Sequence, residues 1–504
     1  MPAALYTGSP TAGLVVRPAS RPPSRSAPLA AGGTADKSAT QRTEGWMAGP
    51  GASLAVALLG FFVVTLDALV VNVALPAIGR DLGGGITGLQ WVVDGYTLLF
   101  AALLLSAGAL SDRIGARQAF GVGLALFVAA SAACGLAPQM GTLVVARLAQ
   151  GAGAAVLMPS SLALIREAYP DAGQRARAIA IWSLGGAVAS AGGPVVGGFL
   201  TLLSWRAIFF INLPIGAVAL AILAHVARSP RRRAPFDRVG QVAAVLGMGG
   251  LTYGLIEGGA GGFAAPDVVA ALAVAVVAVA MFFVAEARGA YPMVPLSLFR
   301  SRPFAVSVAG GAAFSIGFYG LVFLLSLYYQ QVRGLTPAET GMAFVPTTAL
   351  TAVVTLIAPR IAARFGPRVP MAAGQFLQAA GLLSLCLAVV AVPVWLVAAL
   401  TILIGFGASL AVPTLTALLV TSVPAERAGT ASGVLNTCRQ VGGALAVAVF
   451  GALVANPATF LPGLQASLVA AAMVLLVTAG ASLTLRARQD QASALARTAL
   501  DTVA

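Results

Sequence analysis

Four charged residues stand inside stretches of the chain that are otherwise almost free of charge: Asp67, Asp94, Arg147 and Arg439. A charge in hydrocarbon costs about 3 kcal/mol or more even on insertion scales, so each must face a partner or a wet cavity. An acid in such a place can take up a proton, and a nearby guanidinium favours its release. That is the chemistry of a proton-coupling site, with Asp67 and Asp94 as the groups that titrate. Arg147 tunes or orients them, since guanidinium stays protonated. The plainer reading of Asp67 and Arg147 is a pair that ties helices together. At 1.5 Å rise per residue, Asp67 lies about 12 Å, Asp94 about 6 Å and Arg147 about 9 Å below the outer ends of their stretches. Asp94 is therefore the one expected to reach interfacial water cheaply. Arg439 has no acid in its own stretch, and it can meet an anionic substrate or cap a backbone carbonyl.

Other chemistries lack their residues. His225 is the only histidine, and Cys134, Cys386 and Cys438 are scattered, so no zinc-site spacing exists. The single lysine, Lys37, follows Asp36 rather than Gly, which removes a phosphate-binding loop and with it a nucleotide-driven pump. No large soluble domain could hold an enzyme, and the expected cofactor list is empty.

The elements that must position the four charges follow from composition. Of 504 residues, 59% are apolar and 9% charged, with mean hydropathy +0.92; a soluble globular protein carries roughly 25% charged residues. The apolar residues gather into fourteen runs long enough to cross a bilayer. The first is 53–75, the inserted-looking seventh and eighth are 239–256 and 268–285, the tenth is 341–359 and the last is 464–485. Loops rich in Lys and Arg stay cytoplasmic. With both termini inside, 25 of the 30 basic residues fall in cytoplasmic segments, three (Arg80, Arg206, Arg333) fall outside, and Arg147 and Arg439 lie within spans. The net charge of +14 is thereby explained without nucleic acid. The run Arg231, Arg232, Arg233 reads as a topology anchor. Residues 1–52 read as a disordered cytoplasmic tail without a signal peptide, with Met47 an alternative start, and 486–504 as a second tail.

The chain also repeats itself. GAGAAVLMPSSLALIREAYP at 151–170 matches GFGASLAVPTLTALLVTSVP at 405–424 with an offset of 254, and Arg113, Gly115 and Arg117 match Arg364, Gly366 and Arg368 with an offset of 251. Two related six-span halves, 53–226 and 304–485, are expected, with two extra helices inserted in 227–303. Parallel halves of this kind move one bundle against the other around a midplane site.

From here the residues resemble a known family. GALSDRIGAR at 108–117 looks like the major facilitator loop motif, RLAQGAG at 147–153 its fourth-span motif, and GPVVGG at 193–198 the exporter motif. LDALVVNVALP at 66–76, WRAIFFINLP at 205–214 and NTCRQ at 436–440 are similar to signatures of the fourteen-span drug:proton antiporters. Leu69 and Ala116 depart from those patterns. The resemblance implies an all-α polytopic membrane protein of the major facilitator type, with two six-helix bundles plus two inserted helices. It further implies a monomer in the bacterial cytoplasmic membrane that exports amphipathic drugs or antibiotics in exchange for protons. Its partners would be a small-molecule substrate, protons and the lipid bilayer. A proton-coupled importer of the same fold, or a receptor, is the alternative.

Under this resemblance Gly108, Asp112, Arg113, Gly115 and Arg117 form a gate latch, and Gly193, Pro194, Gly197 and Gly198 a sliding interface where small residues let helices approach. Asn72, Gln150, Trp182, Phe318, Tyr319, Asn436, Arg439 and Gln440 are the expected substrate-cavity residues. Tyr328 and Tyr329 fit an interfacial aromatic belt better.

Overall fold

A computed structural model describes residues 49–231, 237–289, 291–349, 351–390, 392–424 and 427–485. Both tails, Met47, Arg232 and Arg233 lie outside the described residues.

Lipid offers the backbone no hydrogen-bond partners, so a spanning chain must satisfy its own amides, and helices do this within one segment. The described residues form helices and no strand. The first six are α1 (Pro50–Leu82), α2 (Gly85–Ile114), α3 (Ala116–Gly135), α4 (Met140–Ala168), α5 (Ala172–Leu203) and α6 (Ala207–Ala224). Next come α7 (Arg238–Gly261) and α8 (Pro266–Arg288), the two expected insertions. The remainder are α9 (Arg302–Val332), α10 (Pro337–Ala343), α11 (Val345–Ala349), α12 (Thr351–Phe365), α13 (Arg368–Ala388), α14 (Val394–Thr421), α15 (Ala428–Leu453) and α16 (Phe460–Leu483).

Thirteen of the described helical segments are long and apolar enough to cross a membrane. The expected tenth span is divided among α10, α11 and α12. Pro346 brings no amide hydrogen to the second position of α11, and a turn at Phe344 separates α10 from it. Helix starts carry the polar residues that lone amides require. Asp171 accepts from the Gln174 amide at 2.9 Å, Asp237 from Gly240 at 2.8 Å, and Thr336 with Glu339 forms a reciprocal capping box on α10.

The internal repeat is visible in packing. Gly123 of α3 faces Gly153 of α4 so closely that a methyl group on Gly123 would stand 3.1 Å from the Gly153 carbonyl oxygen. Gly374 of α13 faces Gly407 of α14 in the same way, at 2.5 Å. These two crossings are related by the sequence offsets of 251 and 254, so each repeat builds one close contact between neighbouring helices with the same pair of glycines.

Helix α7 bridges what the repeat separates. Trp91 Nε1 of α2 donates to Glu257 Oε1 at 2.8 Å, and Gln241 Nε2 donates to the Ala102 carbonyl at 3.0 Å. Farther along, Gly259 abuts Ala452 of α15. Helix α8 leans on α7 and leaves Val276 and Val277 exposed, as suits a face turned to lipid.

Candidate functional site

The first-repeat charges converge. Asp67 of α1 and Arg147 of α4 form an ion pair at 2.5 Å, both sealed from solvent. Gln150, one turn beyond Arg147, accepts from Arg147 at 2.7 Å and donates to the other Asp67 oxygen at 2.7 Å. Asn212 of α6 adds a further donor to that oxygen at 2.8 Å, and Ser131 Oγ of α3 accepts from Gln150 at 2.8 Å and from Asn212 at 3.3 Å. Arg147 Nε donates to the Val92 carbonyl at 2.9 Å, and its guanidinium lies 4.4 Å from the Tyr96 ring centre. Asp67 thus has a donor on each oxygen, and Arg147 has three acceptors and an aromatic face. The expected pair is present, and Gln150 belongs to it rather than to a cavity wall. Asn212 and Ser131 were not foreseen as members. Asn212 did stand in a recognisable motif, whereas nothing in the sequence distinguished Ser131.

Asp94 is the opposite case. It is 0% exposed, and neither carboxylate oxygen has a hydrogen-bond partner among the described residues. The expectation that it reaches interfacial water fails because neighbouring helices cover it. On the same helix, Gln90 donates to the Val447 and Ala448 carbonyls of α15 at 3.1 and 2.7 Å, while Trp91 reaches α7. Asp94 lies about 40° around the helix from Gln90 and about 60° from Trp91. It therefore points between α15 and α7, at the seam where the two repeats and the insertion meet.

Below this seam a cavity of about 1580 Å³ opens towards one end of the molecule. Gly108 and Asp112 line it from the first repeat, Asn436 from α15, and Arg166, Arg175, Arg300 and Arg427 stand at its wall. A small pocket of about 30 Å³ lies elsewhere between the repeats, lined by Asn72, Tyr96, Tyr319 and Gln440. Of the expected cavity residues, Asn436 thus faces the large space, and Asn72, Tyr319 and Gln440 face the small one. Phe318 stacks on Phe314 at 5.6 Å, with Arg439 on the far helix 5.1 Å from the Phe314 ring centre. Trp182 does not line either space; it stacks on Phe61 at 4.1 Å and donates to Ser161 at 3.2 Å. Tyr328 and Tyr329 are sealed inside the bundle rather than forming a belt. They lie in a π-helical turn, with the Tyr328 hydroxyl on the Val389 carbonyl at 2.7 Å.

The end opposite the large cavity is shut by contacts that cross the repeats. Gln330 of α9 donates to the Val73 carbonyl of α1 at 2.8 Å, alongside the Gln90 bonds to α15. The glycines of 193–198 take two different parts. A methyl group on Gly193 would sit 3.0 Å from Leu69 Cβ, and one on Gly197 2.7 Å from the Val70 carbonyl oxygen, so both seat α5 on α1. Gly198 instead meets α10, where the Pro337 carbonyl oxygen would be 2.5 Å from its methyl group, and Gly341 returns the contact against the Pro194 carbonyl. Pro194 and Gly198 are thus on the crossing contact, and Gly197 is on internal packing.

The residues expected to form a gate latch lie at the open end. Asp112 and Arg113 are exposed and make no hydrogen bond or ion pair among the described residues. Gly115 turns the chain with φ 95°, and Arg117 is held on its own side, its Nε on the Leu223 carbonyl at 3.3 Å and its amide on Ser229 at 3.0 Å. Ser229 is held in turn by Glu167. Trp205 and Arg206 close the other end of the first repeat, donating to Asp81 at 2.8 and 2.6 Å.

Known proteins are similar to this chain in sequence and in fold. The Multidrug resistance protein Stp of Mycobacterium tuberculosis is 40% identical over 400 residues, covering 79% of this chain and 74% of that one. The Methylenomycin A resistance protein of Streptomyces coelicolor is 36% identical, covering 88% and 94%. A bacterial homologue of the human lysosomal transporter Spinster, solved inward-facing and unoccupied, superposes with TM-score 0.61 at 18% identity, covering 86% of this chain and 96% of that one, and so shares the fold. The sequence profile of the Major Facilitator Superfamily matches residues 57–447. With that match spanning most of the chain, and with its motifs placed on the helices where they pair, this membrane-embedded protein belongs to the Major Facilitator Superfamily of transporters.

Proposed function

We propose that the chain exports small amphipathic molecules, drugs or antibiotics, across the bacterial cytoplasmic membrane in exchange for protons by alternating access. The observation that carries this reading is the cavity of about 1580 Å³, open at one end and closed at the other by contacts between the repeats. Relatives named for multidrug and methylenomycin A resistance give the cargo class. Arg166, Arg175, Arg300 and Arg427 at the open end support a cytoplasmic opening, because basic loops stay inside. The same rule supports fourteen crossings with both termini cytoplasmic, the divided α10–α12 segment making one of them. The state described would then be ready to load from the cytoplasm.

Asp94 is the better candidate for the coupling proton than Asp67. A buried carboxylate without hydrogen-bond partners among the described residues is costly as an anion, whereas both oxygens of Asp67 are already occupied by a cation and two amides. Asp94 also lies at the seam that must open when access alternates, so water reaches it in one state and not in the other. Arg147 then holds the first repeat together and Asp67 is its counter-ion.

The test is dye uptake into everted vesicles driven by an imposed pH difference, compared with counterflow exchange that needs no net proton movement. Asp94→Asn is expected to lose driven uptake and keep exchange. Undiminished driven uptake by Asp94→Asn would overturn the assignment, and driven uptake only in right-side-out vesicles would make the chain an importer.

A further inference from the structure

The second repeat holds a half-buried cation within a spanning helix that the coupling scheme does not use. Between residues 304 and 485 the only acids are Glu339 and Glu426, both outside the long spans. Arg439 is nevertheless placed in the interior of α15, eleven residues from its start, about 16 Å along the axis. That depth puts it beyond the headgroups of the surrounding lipid.

Its surroundings differ from those of Arg147 in every respect but one. Arg147 has a carboxylate, an amide oxygen, a backbone carbonyl and the face of Tyr96. Arg439 has only the face of Phe314, 5.1 Å from its guanidinium carbon, and hydrogen-bonds to no protein atom among the described residues. Its Nε is sealed without a partner, while the terminal nitrogens are not sealed. Asn436, one turn away, lines the large cavity, and the adjacent Gln440 lines the small pocket. Beside the guanidinium three aromatic rings follow one another, of which Phe314 is buried and Tyr319 lines the small pocket. Phe314 and Phe318 are nearly parallel at 5.6 Å and 20°, and Phe318 meets Tyr319 edge-on at 5.6 Å and 86°. An intramembrane guanidinium with donors to spare is expected to have a partner or a wet cavity, and the described residues contain no charged partner for it. A ligand anion would supply one.

We propose that Arg439 is the anion-binding residue of the transport path, taking a carboxylate of the cargo while Phe314, Phe318 and Tyr319 receive its flat apolar body. The favoured cargo is therefore an aromatic or otherwise planar carboxylic acid. Guanidinium suits this role because its planar fork accepts a carboxylate through two parallel hydrogen bonds. The proposal deepens, and rests on, the reading of the chain as an exporter of amphipathic molecules.

The experiment uses the full-length chain in lipid nanodiscs and two probes, a xanthene dye with a free benzoate carboxylate and its methyl ester, each followed by fluorescence anisotropy. Wild type is expected to bind the acid more tightly than the ester. Arg439→Gln should weaken the acid about ten- to hundredfold, the scale of a charge-assisted hydrogen bond, and leave the ester within about twofold. Arg439→Lys should fall between, keeping charge without the fork. Phe314→Leu, which leaves the guanidinium in place and removes its supporting ring, should weaken the acid by less than Arg439→Gln. Equal loss of acid and ester in Arg439→Gln would make the residue a packing element and overturn the proposal, as would a wild type that binds the acid no better than the ester. Driven uptake of the same dyes in everted vesicles separates the two readings. Arg439-dependent acid binding without any driven uptake would sink export and leave the anion site standing. Driven ester uptake without preferential acid binding would sink the anion site and leave export standing.

Discussion

Asp67 and Asp94 have the same side chain, the same complete burial and neighbouring helices, yet opposite surroundings. The first is gripped by Arg147, Gln150 and Asn212 from α4 and α6, and the second has no partner on either oxygen among the described residues. Burial alone therefore does not tell what a carboxylate in a membrane is for. A carboxylate with its charge balanced and its lone pairs occupied holds helices in register. One with neither keeps a reason to bind a proton. Position adds to the contrast. The Asp67 network lies within α1, α2, α3, α4 and α6, all of the first repeat, and Asp94 points to the seam with α15 and α7.

The hardest blow to this contrast is Arg147→Ala. Removing one partner of a buried ion pair leaves an uncompensated charge and costs about 3–5 kcal/mol. Thermal unfolding in detergent should show a large loss for Arg147→Ala. Asp67→Asn strands the Arg147 guanidinium without its counter-ion but keeps an acceptor oxygen, and should lose a comparable amount, about 3 kcal/mol. Asp94→Asn should be no less stable than wild type. If Asp94→Asn were as unstable as Asp67→Asn, the two aspartates would share a structural role and the distinction would fall.

A second test sets the two kinds of glycine in 193–198 against each other. Overpacking a tight contact typically costs about 1–3 kcal/mol. At Gly197 that cost falls on α1–α5 packing, which is present whichever way the transporter faces, so Gly197→Leu should lower thermal stability. At Gly198 it falls on the contact with Pro337, which under the proposed alternating access is broken when that end opens. Gly198→Leu should therefore insert normally and expose the outer end, seen as faster reaction of Ala338→Cys with an impermeant thiol reagent. Equal reactivity in Gly197→Leu and Gly198→Leu would show that both belong to one interface.

What the sequence revealed of all this follows from how each feature is encoded. Spans, repeat and motifs are local patterns, so the helices and the meeting of Asp67 with Arg147 were legible. The cost of a lone charge in lipid already required a partner for each. The partners from other helices were not legible, because Gln150, Ser131 and Asn212 reach Asp67 or each other across 19 to 145 residues of chain. Asp94 was misjudged because depth along its own helix says nothing about the helices that cover it. Gly341 carried no motif of its own, and its part in the closed end emerges only when α10 is laid against α5. The tenth span reads as unbroken in the sequence although Pro346 lies within it, because the effect of a proline depends on whether neighbours take up the freed carbonyls.

A third carboxylate gives the smallest effect and completes the comparison. Glu339 is exposed and engaged through one oxygen only: Oε2 accepts from the Thr336 amide and hydroxyl, each at 2.8 Å, and caps α10. The Thr336 backbone and side-chain hydrogen bonds hold its carboxyl below the usual value of 4.5. A carboxyl depressed in this way stabilises the fold above its unfolded value, and that contribution is lost as pH falls through the lower, folded value. Between pH 7 and 5 the cap should be unchanged; below 4.5 it should loosen progressively. Since α10 carries Pro337 against Gly198, loosening should raise the reactivity of Ala338→Cys towards an impermeant pyridyl disulfide, which reacts at acid pH. The rise should be no more than about twofold, as befits a charge in water. Glu339→Gln at pH 7 should reproduce that reactivity and show no further change on acidification. A pH step of the same size in Glu339→Gln would assign the response to another group and leave Asp94, at the seam, as the next to test.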